Sequence, residues 1–300
     1  MRNIRETHKS SDTEEIIDIY FYRPIGYAEA VLADKLKITP NTITVISIFI
    51  GVAAGHLFYY QDIILNIIGI LLLVFANSLD SADGQLARMT GQTTEFGRFL
   101  DGLAGNIWFV TIYIHLFLRL VEQGYPVYIF FFVLLVGAFH SIQSAMADHY
   151  REIHLLFIGK KNREDIDDLG KTKEKYDQLN WKDNFWQKLY HRLYLNYVIE
   201  QRSFSKNFMK FFFSLKEKYG ENIPDDLRSE FRTYSKPLMK YTNILTHNTR
   251  MIALSIAVLL NEVIWFLAFE ITVLNIILIY MVNRHEKISK SLYHKHIVQK

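Results

Sequence analysis

Asp80, Asp83, Gly84, Ala87, Arg88, Gly97 and Asp101 fall within one stretch, LDSADGQLARMTGQTTEFGRFLDGLAGN. The first five stand at i, i+3, i+4, i+7 and i+8, offsets that share one face of a helix. Two carboxylates a turn apart suit a hard divalent cation such as Mg2+ or Mn2+, which takes oxygen ligands and completes its shell with water and substrate phosphate. Gly84 and Ala87 leave that face without bulk, so a nucleotide backbone can approach it. Arg88 offers a forked set of donors to a phosphate. Gly97 and Asp101 stand at i, i+4 on the next helix, so Asp101 can face the first helix across the same cavity. A third carboxylate makes a two-metal cluster possible, and two metals can clamp the attacking and leaving oxygens of a displacement at phosphorus. The plainer alternative is a solvated loop between two apolar runs. Against it stands the expense of ionisable groups at membrane depth, which usually mark a site.

The elements that must hold these residues are apolar. The chain has 300 residues, 50% of them hydrophobic and 15% aromatic. Apolar runs cover roughly 42–60, 63–79, 103–121, 126–147, 250–268 and 270–283. Most approach the roughly 20 residues needed to cross a bilayer. The expectation is an all-α integral membrane protein with six transmembrane helices, an N-terminal surface helix and a helical cytoplasmic insertion. Lys and Arg are frequent before residue 40 and after residue 283, whereas the connections near 59–62 and 261–270 carry none. The positive-inside rule then places both termini, the 80–101 loop and the 148–249 segment in the cytoplasm. The net charge of +3 reads as topology, and no nucleic-acid partner is expected. Without cysteine there is neither a disulfide framework nor thiol chemistry.

Four segments follow. Residues 1–39 hold a surface helix over 13–38, expected in two pieces broken at Pro24, with the apolar stripe Ile16, Ile17, Tyr20 and Phe21. Residues 40–150 hold transmembrane helices 1–4. Pro40 disfavours helix at Thr39, and Asn41 or Thr42 can cap the first span. Residues 151–249 form an insertion, polar at first and then amphipathic through Phe185, Trp186, Leu189 and Leu193 and again through Phe208, Phe211, Phe212 and Leu215. It reads as a packed accessory subdomain or as helices lying in the interface. Residues 250–300 hold transmembrane helices 5 and 6 and a basic tail.

The pattern Asp80-x-x-Asp83-Gly84-x-x-Ala87-Arg88, then Gly97-x-x-x-Asp101-x-x-x-Gly105, resembles the signature of the CDP-alcohol phosphotransferases. That resemblance implies transfer of a phosphatidyl or phosphoalcohol group from a CDP-linked donor, most often CDP-diacylglycerol, to an alcohol acceptor with release of CMP. It implies Asp80, Asp83 and Asp101 as ligands of Mg2+ or Mn2+, and Gly84, Ala87 and Arg88 as the cradle for the CDP portion. Membrane lipids are the expected surroundings, a bacterial inner membrane the expected setting, and a homodimer is compatible with the family. The pattern departs at Gly105, where the family's last aspartate would be metal ligand and general base. Glycine can be neither. The base comes from elsewhere, or the acceptor needs little activation, or the protein is an impaired CDP- and metal-binding protein acting through partners.

Replacement candidates stand at the end of the fourth run. His140, Ser144, Asp148 and Arg151 recur at helical steps, with Gln143 and His149 beside them. Asp148 or His149 could act as base; Arg151, His140 and Gln143 could line an acceptor site. Ordinary polarity at the end of a span accounts equally well for Asp148, His149 and Arg151. Glu95 is a weaker candidate base and reads better as a helix-start acid. His247, Asn248, Thr249 and Arg250 open the fifth run and could bind an anionic head group or serve only as anchor and cap. His56 and His115 read as packing or interfacial residues.

The absence of native cysteine makes the orientation directly testable. Cysteine introduced at Tyr60 should react with a membrane-impermeant maleimide from outside intact cells. Cysteine at Ser10 should react only once the cytoplasmic side is opened. The reverse pattern would overturn the orientation.

Overall fold

The computed structural model describes residues 12–159, 169–220 and 222–299, with residues 95, 96, 98, 99 and 171 described by their backbone alone. Thirteen α-helices and no strand occur among the described residues. Five helices are long and apolar enough to cross a membrane: Pro40–Leu57, Ile63–Thr90, Leu100–Glu122, Ile129–Phe157 and Val263–Val298. The chain is an all-α membrane protein.

It divides into two compact units. The first comprises the described residues of Met1–His140 with His247–Val273. It contains α1 (Arg23–Lys35), α2 (Pro40–Leu57), α3 (Ile63–Thr90), α4 (Glu95–Glu122), the first part of α5 (Ile129–Phe157), α11 (His247–Leu259) and α12 (Val263–Phe269). Local chemistry sets these boundaries. Thr39 caps α2 by accepting from the Thr42 amide at 3.3 Å, with Pro40 in the first turn. The cap is therefore Thr39, two residues before Asn41 and three before Thr42, because Pro40 has no amide to satisfy and its fixed φ suits the first helical position. Asp62 caps α3 through the amides of Ile64 and Leu65 at 2.9 and 3.0 Å, and Gly91 ends it at φ 72°. Over its 28 residues α3 reaches about 42 Å, beyond the roughly 30 Å of a hydrocarbon core. Asp80 lies about 25 Å from its start, so the last turns emerge where charge is tolerated.

Small residues bring the helices together. A Cβ at Gly51 would lie 2.2 Å from Trp108, and one at Gly55 would lie 3.2 Å from the Ile112 amide, so α2 and α4 pack almost backbone to ring and backbone to backbone. Trp108, Ile112, Leu116, Phe58, Leu73 and Leu254 form the buried centre of this unit. α1 packs on α3, where a Cβ at Gly26 would lie 3.0 Å from the Ala82 amide. The helix leading into α1 does not break at Pro24. A π turn over Asp18–Tyr22 precedes it, with the Arg23 amide bonded to the Asp18 carbonyl five residues back. That wider turn relieves the clash between a proline ring and the carbonyl four residues earlier, so helix runs on through Lys35.

The C-terminal apolar stretch also differs from the expected 250–268 and 270–283. The break falls at 260–262, where Asn261 adopts φ 58°. α11 is only 13 residues long, and the following helix continues from Val263 to Val298 through a second π turn over Glu270–Leu274. The cause is visible at Arg119. Its fully buried guanidinium donates to the Phe58 carbonyl, Asn66 Oδ1, the Val258 carbonyl and Asn261 Oδ1. These bonds fix the loop at Asn261 and satisfy carbonyls at two helix ends.

The second unit comprises the described residues of Ser141–Thr246 with Leu274–Lys300. α6 (Leu169–Gln178), α7 (Phe185–Phe204), α8 (Lys206–Tyr219), α9 (Asp225–Ser235) and α10 (Met239–Ile244) belong to it, with the end of α5 and α13 (Asn275–Tyr293). Phe208, Phe211, Phe212 and Leu215 on α8 are buried, and Phe157 stacks on Phe231 at 3.8 Å between ring centres. Glu286 of α13 caps α8, accepting from the amides of Asn207 and Phe208 at 2.6 and 3.1 Å. On α7, by contrast, Phe185, Trp186 and Leu193 are exposed. The two amphipathic patterns in the insertion thus have different fates: α8 is packed, and α7 turns apolar side chains outward.

Gly51→Leu should force Trp108 out of its place. A destabilisation of about 1–3 kcal/mol, the usual range for overpacking, is expected as a lowered Tm of the detergent-purified protein. An unchanged Tm would show that the α2–α4 contact is not tightly packed.

Candidate metal and phosphate site

The last turns of α3 and the first of α4 bring Asp80, Asp83 and Asp101 together, with one carboxylate oxygen from each lying within 4.8 Å of the others. Their exposure is graded: Asp83 is buried, Asp80 half-buried and Asp101 exposed. The cluster therefore opens outward. Asp83 accepts a hydrogen bond from the Thr44 hydroxyl, which also lies 3.1 Å from the Pro40 carbonyl on its own helix. Thr44 thus fixes the most buried carboxylate from the neighbouring α2. Three convergent hard oxygen donors, one anchored and two reachable, fit one or two divalent cations.

The surroundings are shaped for a phosphate. The Arg88 guanidinium folds back over Gly84, where a Cβ would lie 3.3 Å from Arg88 Nη1. Arg88 is itself exposed, and Ala87 is half-buried beside it. Thr94 caps α4 by accepting from the Gly97 amide at 2.9 Å. A Cβ at Gly97 would meet Asn41 Oδ1 at 2.8 Å, so the start of α4 rests against the start of α2. On the outer side of α3, Ser78 donates to Glu29 of α1 at 2.9 Å, and burial raises the Glu29 carboxyl. Arg23 and Glu14 form a buried ion pair of 2.8 Å.

The remaining candidates separate into two groups. Gln143, Asp148, His149 and Arg151 belong to the second unit. Gln143 is buried and donates to Asn275 at 2.9 Å. Asp148 is paired with Arg151 at 3.3 Å and accepts from Tyr197 at 3.2 Å. Burial first, and then the charges of Asp148 and Glu152, push the Tyr197 phenol well up, so it stays a donor. His149 is buried with Nε2 2.9 Å from Ser205 Oγ. The side chain of Glu95 lies outside the described residues. His56 and His115 face each other at 3.0 Å between ring nitrogens.

His140 and Arg250 belong to the first unit and meet in its interior. Arg250 is fully buried and its Nε lies 3.1 Å from Glu270 Oε1. Tyr113 bonds both to Glu270 and, at 2.7 Å, to His140 Nδ1. Arg250, read either as a binder of an anionic acceptor group or as an anchor, is instead committed to a buried carboxylate. Asn248 is tied just as firmly, donating to Glu15 and Asp18 at 3.0 and 2.9 Å and lying 3.3 Å from Asn77 of α3. These bonds pin the first turn of α11, whose first residue is His247.

Gly105 is buried, and the space beside it is taken. A Cβ there would lie 2.8 Å from both Cε1 and Nε2 of His247. The imidazole stacks on Phe109, one turn beyond Gly105, with ring centres 5.6 Å apart and planes inclined by 15°.

Sequence reading missed Thr44, Tyr113 and Glu270 altogether and gave His247 only a head-group or anchoring role. Glu270 carried a usable signal, as an isolated carboxylate between two apolar runs. Thr44 and Tyr113 carried none, because each acts on a partner distant in sequence.

A model of the CDP-alcohol phosphatidyltransferase family matches residues 37–162 of the chain. An archaetidylinositol phosphate synthase of Pyrococcus horikoshii is 49% identical over 67 residues, 22% of this chain and 34% of that protein. An uncharacterized protein of Aquifex aeolicus is 42% identical over 67 residues, 22% of this chain and 33% of its own length. The chain thus spans about a third of the length of these curated relatives. No solved structure matches it.

Thr44→Val removes the bond to Asp83 without changing shape. Partners that orient ligands are worth about 10–100-fold in metal affinity, and a loss of that size is expected for Mn2+ titrated into the purified protein by electron paramagnetic resonance. Unaltered Mn2+ binding would detach Thr44 from the site.

Proposed function

We propose that this protein transfers a phosphatidyl-type group from a CDP-linked lipid, most simply CDP-diacylglycerol, to an alcohol acceptor, releasing CMP in phospholipid synthesis. The observation that carries this reading is the convergence of Asp80, Asp83 and Asp101 beside the open face of Gly84 and Ala87. Asp80, Asp83 and Asp101 would hold Mg2+ or Mn2+, which when bound would neutralise pyrophosphate charge and polarise the phosphoryl group. The chain's own groups do the rest. Gly84 and Ala87 admit the CDP backbone, and Arg88 lies where its fork can pair with a phosphate. The exposed side of the cluster, at Asp101 and Arg88, is the side from which a water-soluble acceptor would arrive, while the lipid tails remain among the helices.

The acceptor is proposed to be a phosphorylated polyol. The name of the Pyrococcus horikoshii relative supports an inositol phosphate. By the sequence pattern alone, Arg151 is the candidate for its phosphate, with His140 and Gln143 as positioning groups. We place the site and both termini on the cytoplasmic face of a bacterial inner membrane, and a homodimer is compatible with this arrangement. Gly105 supports a second reading, a CDP- and metal-binding protein with little turnover that acts through partners.

Purified protein in detergent or vesicles should release CMP from CDP-diacylglycerol in the presence of Mg2+ and an alcohol acceptor, with inositol phosphate the first to test. EDTA should abolish release, and Asp83→Asn or Asp101→Asn should lower it by at least about 10²-fold, the usual effect of losing one electrostatic stabiliser. Tight binding of the CDP donor with no release, for lipid and small-alcohol donors alike, would replace the first reading with the second.

A further inference from the structure

The signature's missing carboxylate leaves a gap in sequence but none in space. Gly105 lies one helical turn past Asp101, on the side of α4 that carries the cluster. Here the atom that would be the Cβ of any other residue is within 2.8 Å of the His247 ring, with Nε2 among the two nearest atoms. A ring this close can sit where it does only because residue 105 has no side chain. His247 is partly exposed, unlike the buried Gly105 and Phe109 around it. It is not a member of the carboxylate cluster.

We propose that His247 supplies the proton-accepting group at the position vacated by Gly105, taking the hydrogen from the acceptor hydroxyl. The proposal rests on the transferase reading above. Of the two ring nitrogens, Nε2 is the one beside Gly105. The acceptor oxygen forms a new bond to the phosphorus that carries the lipid. The bond from that phosphorus to the bridging oxygen breaks, and its electron pair leaves with CMP. The hydroxyl proton passes to Nε2 and then to water, returning the neutral ring.

The ring is held for this task from three directions. Phe109 stacks on one face from α4. His140 of α5 lies 6.5 Å away between ring centres, and its Nδ1 is engaged by Tyr113. On α11 itself, the next residue Asn248 is tied to Glu15 and Asp18, and Arg250, one turn on, is locked to Glu270. His140 is the titratable ring beside His247; behind it stand Tyr113, Glu270 and Arg250, and the last two compensate each other's charge. Arg250 and Glu270 are positioning residues in this scheme, acting through the helix that carries the ring.

The test exchanges the two residues. CMP release by the full-length protein would be measured across pH for His247→Ala, His247→Gln, Gly105→Asp and the double variant Gly105→Asp/His247→Ala, with binding of the CDP donor followed separately. Both His247 variants should lose about 10²–10⁴-fold in kcat, the usual contribution of a general base, while still binding donor. Gly105→Asp alone should also lose activity, because carboxylate and ring compete for one space. The double variant should recover at least tenfold over His247→Ala. Its acidic limb should move to lower pH, since a carboxylate stays deprotonated at lower pH than an imidazole. The proposal is overturned if the His247 variants keep the wild-type kcat and pH profile, or if the double variant gains nothing over His247→Ala. Loss of donor binding in both His247 variants would make the residue structural and overturn it too. A wild-type protein that releases no CMP fails at the transferase reading itself, whereas one that turns over regardless of residue 247 fails at this inference alone.

Discussion

An ion taken out of water costs several kcal/mol even after relaxation, and removing one member of a buried pair costs about 3–5 kcal/mol. Apolar helices that carry charge must therefore bring that charge to a partner. Two guanidiniums in the interior of the first unit show this. Arg119 collects two carbonyls and two asparagine side chains where helices end, and Arg250 meets Glu270 with both groups essentially sealed. Each arrangement admits little sliding, because a shift of one residue along a helix rotates a side chain by about 100° and strands the ion. The positions of α11 and α12 against α4 follow from that requirement more than from the apolar contacts, which would tolerate several registers.

The same accounting explains why the carboxylates at the end of α3 can stay together. Three like charges within 4.8 Å repel one another, and Asp83 is buried besides. What keeps them converged is scaffolding from elsewhere: Thr44 reaches across from α2, and Asn41 meets the glycine opening α4. That scaffolding depends on α2 approaching α4 closely, which Gly51 and Gly55 allow. The distant glycines in the middle of the bundle and the acidic cluster at its end are thus linked through the rigid length of α2. A cation held by the three carboxylates would relieve that repulsion.

Much of this was readable from local pattern. The convergence of Asp80, Asp83 and Asp101 follows from spacing, since offsets of three and four fix a helix face whatever surrounds it. The first four spans followed from run length. What resisted reading was set by partners far along the chain. The break at Asn261 rather than near residue 269 depends on Arg119, 142 residues earlier. The continuity of helix across Pro24 depends on a π turn, which has no propensity signal. Arg250 looked like an anion-binding cation at a membrane edge because its partner, Glu270, stood in another apolar run and sequence distance concealed the pair.

Gly105 and His247 are best understood as one feature. A glycine inside a helix costs about 1 kcal/mol relative to alanine, and α4 has no turn or positive φ at this point that would call for it. Alanine would not fit, because its Cβ would already be 2.8 Å from the imidazole. Nor is the ring free to yield, with Phe109 stacked on it and the turn behind it tied by Asn248 and Arg250. The absent side chain on α4 and the anchored ring on α11 therefore imply each other. The glycine on α4 is thus accounted for by packing: the imidazole of α11 has its seat because no side chain stands there.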